Sequence, residues 1–270
     1  MPTPVTYLFV PGDRPERFDK ARASGADAVV VDLEDAVAPA DKVAARANVR
    51  AWLAADAPRG RVLVRINGAT TDFFADDLRM LGEVRPVDVV LAKAERPEDV
   101  RRLAITIKAD AAIVPLVESA RGVAHANEIA SAQRVARLAF GAVDYAADLG
   151  LSGDARGLIH PSAVIALASR LAGLPQPIAA PTTAIDDEAI IVDDVRFAQA
   201  LGFGAKLCIH PRQVPVVRAA FAPSAEAVAW ATRVAAAASA GRGAVQVDGT
   251  MVDRPVIERA RAILDAAKPR

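Results

Sequence analysis

AVVVDLED, residues 28–35, is the stretch on which the fold turns. Four apolar residues run on without polar alternation, and three carboxylates, Asp32, Glu34 and Asp35, follow at once. A strand with one wet face alternates, whereas a continuous Val-rich run is buried on both faces, as in a parallel sheet covered by helices. Working outward, similar short apolar runs recur at 7–11, 62–67, 88–93, 111–117, 136–141 and 205–210, with a weaker one at 177–180. Helix-length segments lie between them at 15–24, 41–54, 71–81, 97–108, 121–131 and 187–201. Pro15 and Pro97 suit first-turn positions, where the missing N–H costs nothing, and Asp187 and Glu188 put negative charge at a helix start. Eight strands alternating with helices predict an α/β protein, a (β/α)8 TIM barrel over 1–222, in preference to a doubly wound sheet. The early glycine stretch VPGDRPE matches neither GxGxxG nor GxxxxGK[ST], so dinucleotide and P-loop readings fail. Helices at 212–221, 224–240 and 255–267 follow the eighth strand. They predict a C-terminal helical arm over 223–270, part of the same unit, carrying the glycine-rich GRGAVQVDGTMVD (241–253) as a mobile lid segment.

The 270 residues suit one barrel of this kind, and 53% hydrophobic with 4% aromatic residues suits amphipathic helices on β-branched strands. Lys plus Arg and Asp plus Glu number 33 each. That balance, with no basic block or basic–aromatic stripe, speaks against nucleic acid and against an anionic membrane surface. A single cysteine, Cys208, rules out an internal disulfide framework, and its place in the apolar AKLCIH reads as packing. MPTPVTYLFVPGDRP has neither a basic n-region nor a long apolar stretch, so a cytoplasmic protein is expected.

In a parallel barrel the C-terminal strand ends share one face, and there active sites lie. Strand one leads into Gly12, Asp13 and Arg14, strand two into Asp32, Glu34 and Asp35, and strand three holds Arg65 and Asn67. Strand four ends at Lys93, strand five runs into Glu118, Asp144 follows strand six and His210 ends strand eight. Glu118 and Asp144, from neighbouring strands, are the candidate metal ligands. Mg²⁺ takes one or two carboxylates and fills its octahedron with water and substrate, and no His/Cys set suits zinc. The competing reading pairs these acids with Arg121 or Arg65. Arg65 has the fork to grip a substrate carboxylate, or else it is a partner for Glu34. Arg14 either binds an anion or caps the helix at Pro15. Asp32, Glu34 and Asp35 are expected to stand behind the site, orienting Arg65, Lys93 or metal-bound water. Lys93 either neutralises developing charge or anchors those acids; as a Schiff-base lysine it would make a metal-free aldolase. His210, before Pro211, reads as a strand-end turn.

LFVPGDRPERF, VVVDLEDAV, VRIN, LAKAE, PLVESARGV, FGAVDYAADLG, CIHPRQVPVV and GTMVDRPVIERA occur in this order over essentially the whole chain. Together they resemble the citrate lyase β-subunit-like family, relatives of malyl-CoA lyase. The resemblance implies a (β/α)8 barrel that assembles as a homotrimer, with Mg²⁺ held by Glu118 and Asp144 and with Arg65 on the carboxylate or keto-acid end. It also implies that Asp253, in a lid over a neighbouring subunit's site, supplies an acid/base carboxylate. The chain departs from the family's pattern after Asp144, where LIHPSAVIALASRLAG lacks an arginine that relatives carry.

The expected reaction is Mg²⁺-dependent carbon–carbon cleavage of a 3-hydroxyacyl-CoA thioester, giving acetyl-CoA or a related acyl-CoA and a 2-keto acid or glyoxylate. Substrate contacts fall to Arg65, Glu118, Arg14 and Lys93, and catalysis to Arg65 and Asp253. The alternatives are a citryl-acyl-carrier subunit of a multiprotein citrate lyase, or a malyl-CoA thioesterase or malate-synthase-like activity.

Overall fold

The computed structural model describes residues 3–55, 61–240 and 245–268. Eight strands close in chain order into a parallel barrel: β1 (Thr6–Pro11), β2 (Ala28–Asp32), β3 (Arg61–Ile66), β4 (Asp88–Leu91), β5 (Ile113–Val117), β6 (Ala139–Phe140), β7 (Ile178–Ala179) and β8 (Ala205–Cys208), with β8 returning to β1. Between them run α1 (Phe18–Arg22), α2 (Lys42–Ala54), α3 (Phe74–Glu83), α4 (Pro97–Thr106), α5 (Ala120–Ala124), α6 (Ala126–Ala130), α7 (Ala142–Leu149), α8 (Ile159–Leu171) and α9 (Glu188–Ala200). α10 (Gln213–Phe221) follows β8. This is the (β/α)8 barrel read from the alternating runs.

Strand parity places the chemistry. Tyr7, Ala28, Val30, Leu63, Val90, Val114, Leu116, Ala139, Ile178, Ala205 and Leu207 pack together as the barrel interior. Successive side chains of a strand point to opposite faces. Asp32, two residues past Val30, Arg65, two past Leu63, and Glu118, two past Leu116, therefore continue the inward-facing series at the rim. The register sets Pro11 beside Asp32 and Asp32 beside Arg65. Val29 and Val31, of opposite parity, are buried on the helix side.

Several elements differ from expectation. β6 and β7 have two residues each, where longer runs were read. The predicted helix 121–131 is two five-residue helices, because His125 breaks it at φ −103°, ψ 13° while its Nδ1 lies 3.0 Å from the Glu95 carbonyl. α7 and α8 fill the stretch after β6 that no expected helix covered. α8 mixes buried Ile165 and Ala168 with exposed Ile159, Leu167 and Leu171, so its sequence lacks a clean apolar stripe. β4 stops at Leu91, short of Lys93, which lies in the left-handed region at φ +49°.

Thr3–Arg218 form one compact unit and Ala219–Arg270 a second. In it α11 (Ala225–Ala240) and α12 (Arg254–Ala266) enclose Ala231, Val234, Val252 and Ala260, with Trp230, Val247, Val256 and Ile263 packed around them. Residues 241–244 of the expected lid lie outside the described residues. The remainder is a hairpin, β9 (Val245–Val247) against β10 (Thr250–Val252). Asp248 and Gly249, at φ +51° and +78°, make its turn, the Asp-Gly pairing that tight hairpins favour.

Candidate active site

At the centre of the rim lies Arg65. Its Nε and Nη2 each donate to an oxygen of buried Asp32 at 2.6 Å, and Nη1 is 3.2 Å from Glu34 Oε2. The Phe9 ring lies against its guanidinium, 4.5 Å from centroid to Cζ. Burial alone would lower the Arg65 pKa, but Asp32, Glu34 and Glu118 more than reverse this and hold it above the ordinary value. Asp32 also accepts the backbone N–H groups of Glu34 (2.9 Å) and Ala36 (3.0 Å), so one carboxylate fixes both the arginine and the loop beyond β2. Burial raises the Glu34 pKa against the pull of Arg65 and Lys93.

Lys93 contributes by two routes. Its ammonium bonds Glu34 and lies 3.4 Å from Asp35. Its backbone N–H, aimed by the left-handed turn, donates to Glu118 Oε1 at 2.7 Å. Burial would lower the Lys93 pKa, but Glu34 and Asp35 carry it above normal.

Glu118 is 3% exposed and makes no ion pair among the described residues. Arg121 pairs with Glu95 instead, and Arg65 with Asp32 and Glu34. Burial pushes the Glu118 carboxyl up to about 8, with the Lys93 N–H opposing and Asp144 and Glu34 adding. Gly141 explains the packing: a Cβ there would run into the Glu118 carboxylate. Asp144, in the first turn of α7, has no hydrogen-bond donor or ion pair among the described residues. Phe9, Asp32, Arg65, Leu116, Glu118 and Asp144 are among the residues lining one cavity of about 260 Å³.

Two neighbouring carboxylates without a cationic partner fit a divalent ion. Among the described residues no group of three or more His, Cys, Asp or Glu gathers as a metal cage. Two carboxylates plus water and substrate is the way Mg²⁺ is held, whereas a closed zinc site needs more protein ligands. The structure thus brings Arg65, Glu118, Asp144 and Asp32 to one cavity, with Glu34, Lys93 and Asp35 linked behind them. Arg14 is not part of the cavity wall; its Nε is 3.7 Å from Asp13. Asp253 belongs to the second unit, where its carboxylate caps α12 by accepting from Val256 N at 3.1 Å. His210 accepts from Arg212 N in the turn after β8, and burial lifts the Cys208 thiol to about 12.

Sequence reasoning missed two groups, apart from Asn67 of the first, which it placed at the end of strand three. Lys42, Asn67, Asp77 and Arg46 form a buried polar chain behind the β2 loop. Gln213, 1% exposed, accepts from Ile209 N (2.9 Å) and donates to Thr182 O (2.7 Å) and Ala184 O (2.9 Å), tying two rim loops together. Lys42 had a signal, since it shares the buried face of α2 with Ala45, Val49 and Leu53.

A barrel whose rim offers two unpaired acids beside a clamped guanidinium is suited to a magnesium-dependent lyase, and comparison with known proteins assigns the chain to that class. The family model described as HpcH/HpaI aldolase/citrate lyase matches residues 6–211. A citrate lyase subunit beta-like protein of Mycobacterium tuberculosis is 41% identical over 270 residues, covering 97% of this chain and 94% of that protein. The L-malyl-CoA/beta-methylmalyl-CoA lyase of Cereibacter sphaeroides is 33% identical over 299 residues, covering 97% and 93%. The crystal structure of CitE from M. tuberculosis with magnesium, acetoacetate and coenzyme A superposes with a TM-score of 0.87 at 41% identity, covering 98% of each chain. The chain belongs to the HpcH/HpaI aldolase/citrate lyase family.

Proposed function

We propose that this enzyme breaks the C2–C3 bond of a 3-hydroxyacyl-CoA thioester, releasing acetyl-CoA or a related acyl-CoA and a 2-keto acid or glyoxylate. The observation that carries the reading is the placement of Glu118 and Asp144, without cationic partners, on the same cavity as Arg65. Glu118 and Asp144 would hold Mg²⁺, which when bound supplies Lewis-acid polarisation and a template for substrate oxygens. Arg65, fixed by Asp32 on one edge and by Phe9 on one face, keeps further N–H donors for the carboxylate of the keto-acid half. In cleavage the 3-hydroxyl gives its proton to solvent and its oxygen becomes the keto-acid carbonyl, the C2–C3 electron pair passes to the thioester enolate, and the α-carbon gains a proton, so no net proton is taken up. We assign that last proton to Asp253 in the lid of a neighbouring subunit, on the family resemblance. Arg65 stabilises the charge on the oxygens of the departing keto acid, a contribution of the kind worth on the order of 10²–10³ in rate. Lys93 is engaged by Glu34 and Asp35, which favours an anchoring role over Schiff-base chemistry.

The likeness of the M. tuberculosis CitE complexes with coenzyme A, oxaloacetate and pyruvate supports this substrate class. Among the described residues no helix is long and apolar enough to cross a membrane. We further propose a cytoplasmic homotrimer, tested by light scattering. Glu118→Ala and Asp144→Ala should each lose both Mg²⁺ affinity and turnover; full activity of either variant in EDTA overturns the proposal. Product analysis separates cleavage from thioester hydrolysis. A beta subunit of citrate lyase from Leuconostoc mesenteroides is 33% identical, which favours one second reading, action on a carrier-bound acyl group. Turnover of free CoA thioesters decides between them.

A further inference from the structure

Lys42 is a buried cation that the reading above leaves without a task. It is 5% exposed and opens α2 on that helix's core-facing side. Its ammonium donates all three protons, to Leu33 O (2.8 Å), Glu34 O (2.8 Å) and Asn67 Oδ1 (2.7 Å). None of these acceptors is a carboxylate, and burial lowers the Lys42 pKa against the opposing pull of Glu34, Asp32 and Asp77. Methionine would fill similar space without desolvating a charge, so packing alone does not account for a lysine here.

What the acceptors do gives the answer. The loop beyond β2 is tied on one side by Asp32, which takes the N–H groups of Glu34 and Ala36. Lys42 ties its other side, through the carbonyls of Leu33 and Glu34. Asn67 strengthens that tie: its Nδ2 donates to Leu33 O at 3.0 Å and to Asp77 Oδ2 at 2.6 Å. Asp77, fully buried, is in turn held by Arg46 at 3.1 Å. Glu34 thus has its backbone fixed from two directions, and its carboxylate braces both Arg65 and Lys93.

We propose that Lys42 is a positioning residue for the keto-acid end of the site: by holding the Leu33–Glu34 backbone it keeps Glu34 braced against Arg65, while touching neither substrate nor metal. This rests on the reading that Arg65 grips the keto-acid carboxylate. Without the ammonium, Arg65 keeps its bond to Asp32 but loses the lateral brace that sets its angle.

The test uses the full-length enzyme with Mg²⁺, and pyruvate as the keto-acid probe. Lys42→Met should weaken pyruvate binding about tenfold and raise KM more than it lowers kcat, while the Mg²⁺ affinity measured by calorimetry stays within about twofold. Lys42→Arg should recover most of the loss. Because Lys42 acts through Glu34, the double variant Lys42→Met/Glu34→Gln should bind pyruvate no more weakly than Glu34→Gln alone. Additive losses, or a loss of Mg²⁺ and pyruvate binding together, overturn the proposal. If Lys42→Met does not fold, Asn67→Ala removes one acceptor from the same network and is read in the same way. Pyruvate binding lost in Arg65→Ala but kept in Lys42→Met overturns this inference alone. Pyruvate binding kept in Arg65→Ala overturns the site reading, and this inference with it.

Discussion

Magnesium binding should release a proton. The metal-free Glu118 carboxyl is pushed up to about 8 by burial, reinforced by Asp144 and Glu34. A bound cation needs it ionised, so metal and proton compete for the same group. At pH 7 a group of pKa 8 is about 90% protonated, so about 0.9 proton should leave per ion bound. The same competition weakens the apparent Mg²⁺ affinity at pH 7 about tenfold relative to a pH well above 8, or about 1.4 kcal/mol. Titration calorimetry at pH 7 in buffers of different ionisation enthalpy measures the released proton, and a series from pH 6.5 to 9 measures the affinity. Glu118→Gln should abolish the buffer dependence and most of the binding. A buffer-independent heat together with a pH-flat affinity would falsify the placement of Glu118 as a protonated, metal-ready acid.

Without metal, stability should fall as pH rises from the ordinary carboxylate range to about 8. Over that window the folded chain keeps a proton on Glu118 that the unfolded chain has released; melting in EDTA at pH 6 and pH 8.5 shows this, and Mg²⁺ should remove the difference. Gly141→Ala places a methyl against the Glu118 carboxylate. It should cost about 1–3 kcal/mol in denaturant titration and lower Mg²⁺ affinity, with far-UV circular dichroism unchanged. Arg65→Lys cannot make the paired bonds to Asp32, so kcat/KM should drop about 10²–10³ while Mg²⁺ still binds; steady-state kinetics beside a metal titration checks this.

Much of the barrel was legible because burial on both faces leaves unalternated runs, and each of the eight runs overlaps a strand of the barrel. Rim residues were legible for the same reason: the first polar residue after such a run must lie near a strand end. Strand ends do not reveal partnership. Arg65 was read as a choice between a substrate grip and a bond to Glu34, and the geometry places it on the cavity while it is paired with Glu34 and, more closely, with Asp32. Lys42 and Gln213 were passed over because most of their partners are backbone carbonyls and amides, which a linear pattern of side chains does not display. α8 escaped because apolar residues on both its inner and outer faces mask a helical period. Asp248 and Gly249 were read as part of a glycine-rich mobile stretch, although Asp-Gly between Val-rich flanks is a hairpin signal.

The left-handed residue two positions past β4 carries a consequence for engineering. Non-glycine residues resist this conformation, by of order 1 kcal/mol or more, and are held in it only when their surroundings insist. At Lys93 the twist that strains the backbone also turns an amide toward Glu118, while the side chain reaches back to Glu34. Glycine would relax the main chain, yet it would take the ammonium from nearly buried Glu34, a loss larger than the strain relieved, and cut loose the acid that braces the arginine. A glycine chosen at position 93 for its backbone alone should therefore fail stability and activity screens alike.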